Sequence, residues 1–570
     1  MIFDARAFPS DEALSADVCV VGAGPAGITL ARELRGTGAR VLLLESGGLR
    51  PADRDSPLSA GESVGFPYDR LDGARYRAFG GNSWRWSLDV GGGVRATRLR
   101  AMDPLDFERR DWVPFSGWPF GRDHLESFYR RAHRLFRIGP PRYDPEYWEV
   151  PPDRLSLPLE GEDVESTIFQ FGRGDLFHTE YRRELARSSN VTVVVHSTVV
   201  RLETDESGER VVRAHAICVP DAGAGIGATA RRGELKTFSV EAGLFVLAAG
   251  GTENPRLLLV SRQGERPGIG NRYDQVGRFF MEHPHHWSGH VVPFDCALFR
   301  RLGLYRIHWA RGVPVMAKVT LAEEALRRER MLGWCASLHP HDGRWGARSF
   351  RRLVKAAWRR KTVRGRGRHM ANVLRQPHDV VGSLRRQALR KLGRSASRPA
   401  RPPAVLVLNH MSEQAPDPES RVTLSRELDP LGVPRVRVDW RPRQRDVKSL
   451  VRAQEILGSA LRRSGVGQLR WRLRSRRPPA DLHGGWHHMG TTRMDTDPKQ
   501  GVVDKHGRVH DVHNLYVAGS SVFPTVGYAN PTLTIVALAL RLAERIERNI
   551  DAPPTRVCTM DRPGTAHRDG

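Results

Sequence analysis

Apolar positions along the chain follow three rhythms: short unbroken runs, alternation at every second residue, and recurrence at intervals of three and four. The valine-rich run at 17–21 predicts a buried strand. Helical spacing follows at 28–34, and a second strand at 40–44, a βαβ unit. Further strands are predicted at 191–200, 211–219 and 244–249, with alternating runs between 287 and 340 that suggest an antiparallel sheet. Helices are predicted at 350–358 and 380–392, and 395–403 reads as a loop. Strand character returns at 404–410, 421–424 and 435–440. A helix is expected at 447–461, a strand at 515–518 and a long helix at about 531–549. No apolar run is long enough to cross a membrane, and the acidic N-terminus lacks the basic start of a secretory signal.

Composition narrows the class. The 570 residues are 39% hydrophobic and 27% charged, a globular balance. The five cysteines are odd in number, far apart and without a CxxC, which argues against a disulfide scaffold and for a reducing, cytoplasmic location. A net charge of +26 invites a nucleic-acid reading. The charge is local, however: 341–401 holds 19 basic and 2 acidic residues. No nucleic-acid-binding motif accompanies it, and nucleic acid is not expected as a partner.

The turn after the first strand carries Gly22, Gly24 and Gly27 as GxGxxG, with Glu45 ending the second strand 21 residues after Gly24. Gly22 permits the tight turn, Gly24 lets backbone approach a pyrophosphate, and Gly27 lets helix and strand pack closely. The helix N-terminus offers free N–H groups to phosphate. The Glu45 carboxylate can accept from a ribose hydroxyl. The motif alone does not separate NAD from FAD.

Four further stretches carry a resemblance. The C-terminal GGWHHMG and PTVGYANPTLT, FGGNSWRW at 79–86, VLAAGG at 246–251 with NPRLLL at 254–259, and VGR at 276–278 with MEHP at 281–284 are similar, in order, to signatures of the glucose–methanol–choline (GMC) flavin oxidoreductases. GGWHHMG and PTVGYANPTLT look closest to the sugar-oxidising branch that includes pyranose oxidase. The resemblance implies an α/β fold with a discontinuous Rossmann-like FAD domain (1–100, 189–285 and 481–550). A substrate domain with an antiparallel sheet (286–480) holds the basic insertion 341–401. Residues 101–188 bridge the two domains, and 551–570 form a tail. It implies FAD, contacted by Gly22, Gly24, Gly27, Glu45, Gly80, Gly81, Asn82, Ser83, Val199, Ala249, Gly519, Asn530, Pro531 and Thr532. It also implies oxidation of a CH–OH group, with His487 as base, Asn530 orienting the substrate and flavin N5 accepting hydride.

Side-chain chemistry agrees. A histidine near its ordinary pKa of about 6.5 suits removal of a hydroxyl proton. Asn530-Pro531 reads as N-cap and first residue of a helix. His488 is the rival base. Trp84, Arg85 and His488 are candidate substrate contacts, while His283, His285 and His286 read as structural or surface residues, with lining of the substrate cleft as the alternative. Arg85 stands where some relatives carry a flavin-linked histidine, so FAD is expected to be non-covalent; Asn254 replaces the usual Ser or Thr. No metal is expected. The substrate is a small alcohol, sugar or glycoside, and the electron acceptor (oxygen or another) stays open. Competing readings are a sterol-like or other lipid alcohol, a non-redox FAD lyase, and a basic binding protein with a vestigial nucleotide site. The insertion 341–401 offers either an apolar stripe packed on the substrate domain or contact with an anionic membrane surface, an acidic partner or a phosphorylated substrate.

Overall fold

The computed structural model describes residues 1–551 except 52–56, 69, 160, 220–234, 263, 265–266, 344, 359–362, 364–365, 392–402, 471–472 and 474–476. The loop expected at 395–403 falls largely outside the described residues, as does almost all of the tail 551–570.

The first sheet has eight strands. At its centre Glu12–Val21 lies parallel to Val41–Leu44 on one side and to Thr237–Leu247 on the other. Val41–Leu44 is buried throughout, as a strand covered on both faces requires. Helix Pro25–Glu33 starts at once after the glycine turn, with Gly24 as N-cap and Pro25 in the first turn. The long strand Thr237–Leu247 divides its free edge. Its first half pairs antiparallel with Val211–Cys218, and its last residues pair parallel with Leu515–Val517 from the far end of the chain. That pairing joins the chain's ends in one core with helix Thr532–Asp551.

The second sheet has nine strands, paired antiparallel. Its extent differs from the expected 286–480. Val164–Arg173, from the segment expected to bridge, lies within it, and Arg95–Leu99 and Leu88–Asp89, expected in the flavin domain, form its edge. One face buries Val315, Ala317, Val319, Ala336, Leu406 and Leu408 against helix Gln444–Arg463, whose apolar residues recur at helical spacing. The other face carries Phe169, Cys335 and Met411 toward Tyr528 of the C-terminal segment. The strands at 421 and 435 instead form a separate small sheet with Gly61–Gly65.

The basic segment folds as three helices, Trp345–Trp358, Arg366–Arg375 and Pro377–Lys391, where two were expected. Each buries a few residues (Gly346, Ala347 and Ser349 in the first, His369 and Asn372 in the second, Asp379 and Val380 in the third), whereas Trp358 is 82% exposed and Leu374 74%.

Candidate active site

The dinucleotide turn is built by close backbone approaches. Gly22 sits at φ 108°, and a Cβ on Gly27 would come within 2.0 Å of the Gly22 carbonyl oxygen. No atom lies within 4 Å of where a Gly24 Cβ would be, so the helix N-terminus faces open space, as a pyrophosphate needs. A Gly81 Cβ would stand 3.0 Å from Gly24 Cα, and Gly80 donates its N–H to the Ala23 carbonyl at 2.7 Å. The loop 79–86 thus lies directly on the turn. Glu45 is buried, and its oxygens accept from Ala23 N at 3.0 Å and Gly47 N at 2.8 Å. Burial lifts its pKa despite these donors. Glu45 therefore braces the glycine turn itself, a role that its spacing alone did not reveal.

The other cofactor candidates divide. Asn82 pins its own loop, accepting from Tyr76 N and donating to the Ala74 carbonyl. Ser83 is buried with its hydroxyl 3.2 Å from His178 Nδ1. Val199 neighbours Thr198, whose hydroxyl is 2.6 Å from that of Ser46. Asn254 accounts for its own departure from Ser or Thr: it accepts from Ala249 N and donates to the Ala518 carbonyl and Ser521 hydroxyl. That ties Ala249 to the turn at Gly519, which sits at φ 112°. Pro531 is buried and Thr532 opens the final helix.

At the start of that helix, Asn530 Nδ2 lies 3.3 Å from His487 Nε2. His487 Nδ1 is 2.9 Å from His283 Nδ1, and His283 Nε2 is 3.3 Å from the Val526 carbonyl oxygen. A carbonyl only accepts, so His283 carries its proton on Nε2 and its Nδ1 is bare. His487 must then donate from Nδ1, which leaves Nε2 unprotonated, as the acceptor of the Asn530 amide Nδ2–H at 3.3 Å. Burial, followed by His283, His488, Lys318 and Arg98, drives the His487 pKa well below 6.5, and His283 falls to about 4 through burial. His487 is thus neutral well below the ordinary histidine range, which corrects the expectation of an unperturbed base. The Asn530 Oδ1 is buried without a protein hydrogen-bond partner among the described residues.

Glu282 holds the loop that presents His487. Its buried carboxylate accepts from Gly485 N at 2.9 Å, His487 N at 3.0 Å and the Tyr68 hydroxyl, and burial raises its pKa to about 7. Gly484 and Gly485 are needed here: their Cβ atoms would stand 2.8 Å from Glu282 Cδ and 2.8 Å from His285 Nε2.

His488 points the other way. It is buried against Phe280, with Nε2 3.0 Å from the Tyr68 hydroxyl. This corrects its candidacy as a substrate contact: the next position in the loop turns the side chain into a small core. Trp84 stacks on His178 at 3.7 Å, and Arg85 lies between the rings of Tyr76 and Trp486. His283, read as structural or surface, touches His487 directly, and His285 stacks near His483 with its ring 6.3 Å from that of His487. Among the described residues, no three His, Cys, Asp or Glu side chains are grouped as a metal site.

Residues 17–268 match the family model described as FAD dependent oxidoreductase, and 416–539 match that of the GMC oxidoreductase C-terminal domain. The chain is 26% identical to the fructose dehydrogenase large subunit of Gluconobacter japonicus, over 94% of this chain and 98% of that one. It is 25% identical to paromamine 6'-oxidase of Streptomyces fradiae, over 93% and 91%. Its fold matches a crystal structure of formate oxidase with a TM-score of 0.53 at 17% identity, over 95% of this chain and 99% of that one. The chain thus joins an FAD-dependent oxidoreductase domain to a GMC oxidoreductase C-terminal domain, on the GMC oxidoreductase fold.

Proposed function

We propose that this enzyme oxidises a CH–OH group of a sugar or glycoside, with His487 as base and Asn530 orienting the substrate. The observation that carries the reading is the chain Val526–His283–His487–Asn530, which presents a bare Nε2 beside an amide at the start of the final helix. A bound hydroxyl replaces the Asn530 Nδ2–H at His487 Nε2: Nε2 then takes the hydroxyl proton, and the freed amide N–H donates to the hydroxyl oxygen. FAD, when bound, supplies the acceptor for the hydride that leaves the same carbon. Gly22, Gly24, Gly27, Gly81 and Glu45 would hold its dinucleotide part, and the helix beginning at Thr532 directs its positive end toward the site. Anaerobic bleaching of the flavin by a panel of sugars, glycosides and sterols tests the reading; reduction by sterols alone would overturn it.

The polar surroundings support a polyhydroxylated substrate over a lipid alcohol. Lys318 and Arg98 act on His487 from the sheet face, and neither has a carboxylate partner among the described residues. Arg85, held between Tyr76 and Trp486, is unable to form the flavin bond that a histidine makes, so the cofactor is non-covalent. The four described cysteines are free, in keeping with action in the cytoplasm. Among the described residues no helix is long and apolar enough to cross a membrane. The exposed Trp358, Leu374 and Val381 lie among arginines and fit an anionic lipid surface. Co-sedimentation with phosphatidylserine vesicles, lost in high salt, is the expected result; equal recovery with neutral vesicles would contradict it.

A further inference from the structure

The sheet face that meets the catalytic histidine extends well past it. Register defines successive rungs on that face: His285–Met411–Cys335, Trp287–Asn409–Ser337, and His290–Val407–His339, with His341 opposite Val405 next. A bulge between Trp287 and His290, where Gly289 sits at φ 77°, keeps both side chains on the same face. Rungs two residues apart are separated by about 7 Å. The third thus lies about two such steps from His285, whose ring neighbours that of His487.

Above these rungs the first helix of the basic insertion closes a cavity of about 640 Å³. Trp345, Arg348 and Arg352 line it from one helical stripe, facing Trp287, His339 and His341. The His341 ring stacks on Trp345 at 3.9 Å. His341 Nδ1 accepts from Gly343 N at 2.9 Å, so the neutral ring carries its proton on Nε2. That buried N–H has no protein acceptor among the described residues, and His339 Nε2 and Ser288 Oγ are likewise without protein partners. Among the described residues Asp481 is the one acidic residue that lines the cavity, and it lies 3.5 Å from His286. The two arginines are exposed at the cavity's rim and make no ion pair among the described residues. Two indoles, unmatched donors and two unpaired guanidiniums are what a flat ring with an anionic substituent requires.

We propose that this cavity binds the distal part of a glycoside substrate, a ring bearing a carboxylate or phosphate, while the sugar to be oxidised lies at His487. The proposal rests on the alcohol-oxidising reading above for the sugar and on the cavity alone for the anion. It makes the insertion a specificity element.

The probes are phenyl glucoside, para-carboxyphenyl glucoside and para-phosphonophenyl glucoside, titrated into the oxidised holoenzyme by calorimetry and then tested for flavin reduction. At least one charged probe should bind about ten-fold or more tightly than the neutral one, and the Arg348→Ala/Arg352→Ala variant should lose that preference. Which charged probe wins separates carboxylate from phosphate. Trp345→Ala should weaken binding of all three. Equal binding of charged and neutral probes, no binding of any, or a preference that survives the double substitution would overturn the proposal. A charged preference without flavin reduction by any probe would instead sink the oxidation reading and leave the anion site standing.

Discussion

The imidazoles of His283 and His487 meet through their Nδ1 atoms at 2.9 Å, and the Val526 carbonyl behind His283 decides which ring carries the shared proton. His283 thereby fixes the tautomer of His487, the part of a positioning residue in the proposed reaction. His283→Ala should slow flavin reduction by roughly ten-fold, part of the 10²–10⁴ that a positioned base supplies. His283→Gln, whose carbonyl oxygen can accept from His487 Nδ1–H, should recover much of the loss. Equal rates in the alanine variant and the parent, by stopped-flow under anaerobic conditions, would show that the tautomer is set elsewhere.

The GMC signatures were legible because each is a local run whose spacing maps onto one turn: Gly22 to Gly27, Gly80 to Ser83, Asn530 before Pro531. The His283–His487 pair was not, because its members lie 204 residues apart and neither has a local pattern that points to the other. The second sheet was misjudged for a similar reason. Val164–Arg173 is buried along most of its length and so lacks the alternation that marks a half-buried strand. Only long-range pairing with Val313–Leu321 reveals its place.

Acid should destabilise the protein from about pH 6.5 downward. Burial holds His283 and His488 at about 4 and about 3 in the folded state, whereas the unfolded chain protonates near 6.5. The unfolded state then binds more protons across that window, and stability falls as pH falls. His488→Gln removes one of these groups, so its thermal midpoint should fall less steeply between pH 6.5 and 4 than that of the parent, as read by circular dichroism. Parallel curves would contradict the assignment. Because His487 is also held neutral, the limiting rate of flavin reduction should show no ionisation near 6.5.

Cofactor retention should depend on Glu45 through the glycine turn. Glu45→Ala leaves the Ala23 and Gly47 N–H groups without their acceptor. The loss is expected to cost about 1.5–3 kcal/mol of stability at the turn, and the loosened turn to hold FAD less tightly. FAD affinity measured by fluorescence should fall accordingly, and unchanged affinity would remove Glu45 from the cofactor site. Acid precipitation of the parent should leave the flavin in the supernatant; a yellow pellet would contradict the non-covalent assignment made from Arg85.

The central claim is that His487, not its neighbour, is the base. His487 faces Asn530, while His488 faces Tyr68. The most direct measurement compares anaerobic flavin reduction by a reactive sugar or glycoside in FAD-loaded His487→Ala and His488→Ala. A loss of about 10²-fold or more is expected in the first and a much smaller change in the second. A dead His488 variant beside a nearly normal His487 variant, or parent rates in both, would contradict it.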